Sequence, residues 1–166
     1  YSDIRRLVAA SLLWLAFAQG VSATGVEPVK DLRVDPALCL AAALARDDDK
    51  TVAACGALID NAKTEKADRI KALIARGAAY ERKDMPDRAI ADYDQALKIN
   101  SGFSTAYYNR GNAYYNKREL DRAIADYDKA IQLKPNYAKA YISRGNAYAK
   151  KGDYERAIAD YDQAIQ

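Results

Sequence analysis

One period constrains this chain more than any single residue in it: a single pattern returns at Arg76, Arg110 and Arg144, at equal spacing. The stretch from Arg110 to Pro135 reads RGNAYYNKRELDRAIADYDKAIQLKP. Downstream it recurs as Arg144-Gly145-Asn146-Ala147-Tyr148 and Arg156-Ala157-Ile158-Ala159-Asp160-Tyr161-Asp162. Upstream the same registers hold Arg76-Gly77-Ala78-Ala79-Tyr80 and Arg88-Ala89-Ile90-Ala91-Asp92-Tyr93-Asp94. A fixed period of about 20–50 residues marks a repeat architecture, in which stacked units bury a continuous core. Each unit holds two stretches of about fourteen residues with small residues and tyrosines at helical spacing, so the period predicts paired helices.

The residues at these registers resemble those of the tetratricopeptide repeat (TPR) family, whose unit is a helix-turn-helix of about 34 residues. The resemblance rests on Gly77, Gly111 and Gly145 in the first helices, with Tyr80, Tyr114 and Tyr148 three residues on. In the second helices it rests on Ala89, Ala123 and Ala157, then Tyr93, Tyr127 and Tyr161, then Ala96, Ala130 and Ala164. Pro135 closes the middle repeat, where the family usually has proline. Asn100-Ser101-Gly102 replaces that proline in the first repeat, and Arg76, Arg110 and Arg144 stand where an aliphatic is common. The resemblance covers Ile70 to Gln166 and implies an all-α protein, an α-solenoid of antiparallel helix pairs. It divides this segment into repeats at 70–103, 104–137 and 138–166.

Three glycines at one helical register need a reason, because each costs about 1 kcal/mol against alanine. Close approach supplies one, with each glycine expected to face a small alanine of its partner helix. The tyrosines are expected to fill the wider gaps as core. Arg76/Asp92, Arg110/Asp126 and Arg144/Asp160 are expected as exposed ion pairs, each worth roughly 0–1 kcal/mol.

The formal charge of +3 and the lack of a dense Lys/Arg cluster argue against nucleic acid as a partner. The chain has no histidine, which removes the commonest general base and the commonest metal ligand. No catalytic residue, cofactor or metal site is expected.

Taken in order, residues 1–23 read as a signal peptide. Arg5 and Arg6 lead into the apolar run Leu7–Ala18, and Val21-Ser22-Ala23 offers a small-residue cleavage pattern. The run of about 12 residues is short of the roughly 20 that span a bilayer, so an uncleaved anchor is the weaker alternative. The expectation is an exported protein, periplasmic or secreted, of bacterial type, with no membrane contact after cleavage. Residues 24–36 read as a flexible linker, and 37–66 as a degenerate helical hairpin turning at Asp47-Asp48-Asp49. Those aspartates are expected to cap and charge the next helix, with a cation site as the alternative.

Cys39 lies one full period before Leu73, and Cys55 takes the register of Tyr93. On that alignment the hairpin is about one turn shorter than the others and the linker after it four residues longer. The two cysteines then face each other, and in an exported chain a disulfide is expected. A catalytic thiol or redox pair is the alternative, but no histidine exists to activate a nucleophile.

The remaining helices are expected over approximately 70–83, 86–98, 104–117, 119–132, 138–151 and 153–166, with Pro86 opening one and Asp153 capping another. In the TPR family the first helices line a concave groove. The resemblance implies that its exposed face carries Lys71, Ile74, Ala75 and Ala78, then Thr105, Tyr108, Asn109 and Asn112, then Lys139, Ile142, Ser143 and Asn146. Lys71, Arg76, Arg82, Lys83, Arg110, Lys117, Lys139, Arg144, Lys150 and Lys151 stand on the first helices against the single acid Glu81. A solvated face accounts for this; the sharper reading is an electropositive groove for an acidic or carboxylate-bearing peptide. Some family members clamp a C-terminal carboxylate, and Asn109, Asn112 and Lys139 resemble parts of that clamp. Ile74, Ala78 and Ser143 replace its other polar ligands.

The functional expectation is a non-catalytic scaffold that binds a partner protein or peptide in the groove. Two alternatives stand beside it: the N-terminal part of a longer enzyme or assembly factor, and a scaffold that self-assembles. The chain ends inside a second helix, which leaves Ala157, Ile158, Tyr161 and Ile165 partly open, and a continuing chain or a second copy is expected to cover them.

Overall fold

The computed structural model describes residues 34–165; the expected signal segment over 1–23 and the linker as far as 33 lie outside the described residues. Among the described residues there are eight α-helices and no strand. They are α1 (Pro36–Leu44), α2 (Asp48–Asp60), α3 (Lys66–Arg82), α4 (Pro86–Ile99), α5 (Ser104–Asn116), α6 (Leu120–Leu133), α7 (Ala138–Lys150) and α8 (Tyr154–Ala164). Consecutive helices pair as α1/α2, α3/α4, α5/α6 and α7/α8, and each pair stacks on the next. The fold is all-α, an α-solenoid.

Local chemistry sets the helix ends. The Asp35, Asp47 and Asp153 carboxylates cap α1, α2 and α8 by accepting from the N–H of Ala37, Lys50 and Arg156. Asp35 and Pro36 thus start α1 inside the segment expected to be linker. Three hairpins close on one turn, in which the Tyr80, Tyr114 and Tyr148 carbonyls accept from the N–H of Met85, Glu119 and Asp153, each at 2.9 Å. The residue before each donor is left-handed, with φ of 56° at Asp84, 63° at Arg118 and 84° at Gly152.

The first hairpin has the same turn, with Arg46 at φ 56° and the Asp47 N–H on the Ala42 carbonyl at 3.1 Å. The step from Arg46 to Asp84 exceeds the repeat period by four positions, so the arms next to this turn keep the register of the other hairpins. The hairpin is shorter only at its start, where α1 has nine residues, and not between the cysteines as expected from sequence. The four extra residues form an additional N-terminal turn of α3, which runs 17 residues against 13 in α5 and in α7. Counted from the turn, Cys39 therefore matches Gly77, not Leu73, while Cys55 matches Tyr93.

That correspondence explains what the glycines do. A Cβ on Gly77, Gly111 or Gly145 would lie 2.6, 2.7 and 2.7 Å from ring carbons of Tyr93, Tyr127 and Tyr161. The closest partner is a tyrosine ring; the expected alanine comes second, the Ala123 and Ala157 carbonyl oxygens lying 3.3 and 3.2 Å from such a Cβ at Gly111 and Gly145. Tyr93 and Tyr127 are fully buried, so neither ring has room to yield, and a methyl group there overpacks the hairpin. In the first hairpin the glycine–tyrosine contact is replaced by a bond: Cys39 and Cys55 form a disulfide with their Cα atoms 4.7 Å apart.

Between the helices the core is thin and made largely of alanine, with Ala79, Ala89, Ala106, Ala113, Ala123, Ala130, Ala140 and Ala147 all fully buried. The arginines at the aliphatic register run through this core. Arg76 donates Nε and Nη2 to the two carboxylate oxygens of Asp92 at 2.9 and 2.7 Å. Arg110 does the same to Asp126 at 2.8 and 2.7 Å, and Arg144 to Asp160 at 2.8 and 2.6 Å. Each of the later two also donates Nη1 to the preceding repeat, Arg110 to Asp94 at 2.5 Å and Arg144 to Asp128 at 2.6 Å. Asp92, Asp126 and Asp160 are buried, which corrects the expectation of exposed pairs. For Arg76 the matching position of the preceding repeat is Gly56, which puts no carboxylate there.

Candidate functional site

The first helices form the inner layer, because α3 touches α5 and α5 touches α7, whereas α4 and α6 do not meet. A groove therefore runs across α3, α5 and α7, where the TPR resemblance puts it.

Its charge differs from what the residue count suggests. Arg76, Arg110 and Arg144 are committed to the aspartate ladder. Lys83 pairs with Asp49, Lys117 with Asp87 and Lys151 with Asp121, again stepping by repeat, and Arg82 pairs with Asp48. Lys71 pairs with Asp68. Of the ten cations counted from sequence, only Lys139 and Lys150 take no carboxylate partner among the described residues. The added first turn of α3 brings Lys66 and Arg69, which pair with none among the described residues either. Apart from Asp68, which lies on α3 itself, the carboxylates come from neighbouring helices, and they cancel most of the positive excess. Asp47 caps α2 while Asp48 and Asp49 hold Arg82 and Lys83, so the acidic triplet is occupied by caps and ion pairs.

The expected groove residues fall into two groups. Asn112 and Asn146 come together on one polar cleft of about 320 Å³, and the hydroxyls of Tyr127 and Tyr161 donate to their Oδ1 atoms at 2.8 Å. Asn109 stands beside the Tyr93 hydroxyl. The others lie elsewhere. Ile74 packs on the cluster of Ile70, Leu73 and Ala96, and Tyr108 packs on Tyr127 and Tyr137 with ring centres 6.1 and 5.1 Å away. Lys71 lies against the α1 end near Pro36 and Cys39. Lys139 and Ile142 are exposed on α7, outside the cleft lining.

Sequence reasoning did not select Glu81, Tyr115 and Asn116, which complete the cleft with Ser143. The signal was a departure from the repeat. Glu81 and Tyr115 share one register, and there the first repeat carries a charge while the second carries an aromatic ring. A second departure sits one turn away, because Ala78 replaces the asparagine of Asn112 and Asn146. The Tyr93 hydroxyl consequently lacks the acceptor that Tyr127 and Tyr161 have, and it is buried without a hydrogen bond among the described residues. The Glu81 Oε1 is buried and without a hydrogen bond in the same way.

Burial pushes the Glu81 carboxyl up to about 7, against a weaker pull from the Arg82 charge. Between pH 4.5 and about 7 the unfolded chain has lost this proton while the folded chain keeps it. Stability therefore falls as pH rises through that window, by at most about 3 kcal/mol. Glu81→Gln is expected to raise the urea midpoint at pH 8 and leave it unchanged near pH 4; equal midpoints at pH 8 would contradict the burial argument.

The comparisons with known proteins fit this geometry. The tetratricopeptide repeat family matches residues 104–137 and 138–166, and the related TPR repeat family matches 87–118. No curated protein matches the chain. Among solved structures, a crystal structure of MamA superimposes with a TM-score of 0.68 at 24% identity, covering 80% of this chain and 77% of that one. YrrB, described as a TPR protein with an unusual peptide-binding site, gives 0.66 at 18% identity, covering 76% and 63%. The second TPR domain of Spaghetti (RPAP3), bound to the HSP90 peptide SRMEEVD, gives 0.56 at 25% identity, covering 58% and 89%. Paired helices, a constant repeat period and these matches agree, and the chain belongs to the tetratricopeptide repeat family.

Proposed function

We propose that this protein is a non-catalytic scaffold whose groove binds an extended segment of a partner protein. The observation that carries this reading is the pair Asn112 and Asn146. Each is fixed through Oδ1 by a tyrosine of its own repeat, and both line one cleft on neighbouring first helices. Side-chain amides held in register suit an extended backbone, which offers a carbonyl and an N–H at each residue. The peptide-bound RPAP3 domain, of similar fold, supports a peptide as the occupant. An acidic group on that segment would be met by Lys139, which takes no carboxylate of its own among the described residues.

The reading places the protein outside the cytoplasm of a bacterium. The leader-like sequence of residues 1–23 supports this, as does the disulfide, since such bonds persist in oxidising compartments. It also includes self-association: Tyr154 and Ile158 on α8 are 67% and 59% exposed, and repeats cover such faces by stacking. A sedimentation mass that stays monomeric at all concentrations would remove that element alone.

Panning a random dodecapeptide display library on the purified chain tests the groove. The expected outcome is a set of peptides whose affinity drops about tenfold or more in the Asn112→Ala/Asn146→Ala variant, with the helical signal intact. Peptides held equally well by that variant would place binding elsewhere.

A further inference from the structure

From the cleft around Glu81 we infer a subsite for one basic side chain, lysine or arginine, of the bound partner segment. The inference rests on the groove reading above and adds the chemistry of one position in it.

The cleft gathers three kinds of group. Glu81 brings the formal negative charge, with its Oε1 buried and bonded to nothing among the described residues. Asn116 and Ser143 bring neutral oxygens able to accept hydrogen bonds from an ammonium or a guanidinium. Asn112 and Asn146 line the cleft beside them with Oδ1 already accepting from Tyr127 and Tyr161. Tyr115 brings an aromatic wall, which already carries one cation, since the Lys150 ammonium lies 4.5 Å from its ring centre.

Three arginines near Glu81 are engaged elsewhere, and Lys150, which takes no carboxylate among the described residues, lies on the Tyr115 ring and makes no ion pair with Glu81. Arg82, its neighbour in sequence, is held by Asp48 at 2.6 Å. Arg76 is bound to Asp92, and Arg110 to Asp94 and Asp126. A half-buried carboxylate whose buried oxygen has no partner among the described residues is costly to keep, and groups of that kind persist where a ligand completes them. Burial that raises the carboxyl also fits a group waiting for a counter-charge.

A basic side chain in the cleft gives Glu81 a charge-assisted hydrogen bond inside a partly desolvated pocket. Lys139 lies one to two turns of α7 from Ser143 and Asn146, about 6–10 Å along the helix. The segment that fits best therefore carries both signs, a basic residue at Glu81 and an acidic group nearer Lys139.

The test pans the same dodecapeptide library on the wild-type chain, on Glu81→Gln and on Glu81→Lys. The wild type is expected to select lysine or arginine at one fixed position. Glu81→Gln, which keeps the side-chain shape, is expected to lose that preference and bind the selected peptides about tenfold or more weakly. Glu81→Lys is expected to select aspartate or glutamate at the same position. A consensus lost in the double asparagine variant but without a basic position overturns the subsite and leaves the groove standing, as does a basic position that Glu81→Gln does not change. No consensus on the wild-type chain overturns both.

Discussion

Replacing Arg110 with alanine is expected to cost about 3–5 kcal/mol, the range for breaking a buried ion pair from one side. The guanidinium makes three charge-assisted bonds, two to Asp126 and one to Asp94. Its removal leaves the buried Asp126 carboxylate without a counter-charge and cuts the link between α4 and the next repeat. Lysine should restore little, because one ammonium cannot reproduce a fork that reaches two carboxylates. Arg110→Met with Asp126→Leu should recover most of the loss, since an apolar pair of similar volume needs no counter-charge. Urea unfolding of the four proteins separates these cases. A cost below about 1 kcal/mol for Arg110→Ala would mean that the pair behaves as a solvated one, as its sequence alone suggested.

Removing the disulfide, as Cys39→Ala/Cys55→Ala, is expected to cost about 3 kcal/mol, confined mostly to the first hairpin. The bond closes a separation of 16 residues and holds a helix of only nine. A helix that short has little stability of its own. Among the described residues α1 packs on α2 and α3 alone. Both cysteines are buried with Leu58 and Ala72, and their truncation also removes contacts there. Amide hydrogen exchange should show protection lost in α1 and the start of α2 while α5 to α8 keep theirs. Unchanged protection of α1 would show that packing alone holds the hairpin.

The repeat made most of the fold legible. Its period set the helix pairs, and its asparagines marked the inner face. What escaped was anything that depends on a neighbour in another repeat. The sequence shows Arg110 and Asp126 as a pair but does not show that Asp94 closes on the same guanidinium, or that the pair is buried. It shows ten cations on the first helices, while their pairing with the preceding repeat appears only once the stacking is known. The glycine and the tyrosine of each hairpin are as far apart in sequence as the arginine and its aspartate, so their contact was readable. Alanine is only the second partner, through its backbone carbonyl at Gly111 and Gly145, because the flat tyrosine ring takes the nearest place. The first hairpin misled for a simpler reason: a period counted from Cys39 to Leu73 takes four positions out of the hairpin and puts them into the linker, whereas they lengthen α3. Glu81 was visible as the one acid among many bases, but its burial and its place beside Asn112 and Asn146 are properties of the stack.

The central claim is that a partner segment lies along α3, α5 and α7, over Asn112 and Asn146. Its most direct test is paramagnetic broadening in the nuclear magnetic resonance spectrum of the isotope-labelled chain, with a spin-labelled peptide from the library selection. Broadening concentrated at Glu81, Asn112, Tyr115 and Asn146, and weak on the outer faces of α4 and α6, is the predicted result. Broadening centred on the second helices, or on the exposed face of α8, would contradict it.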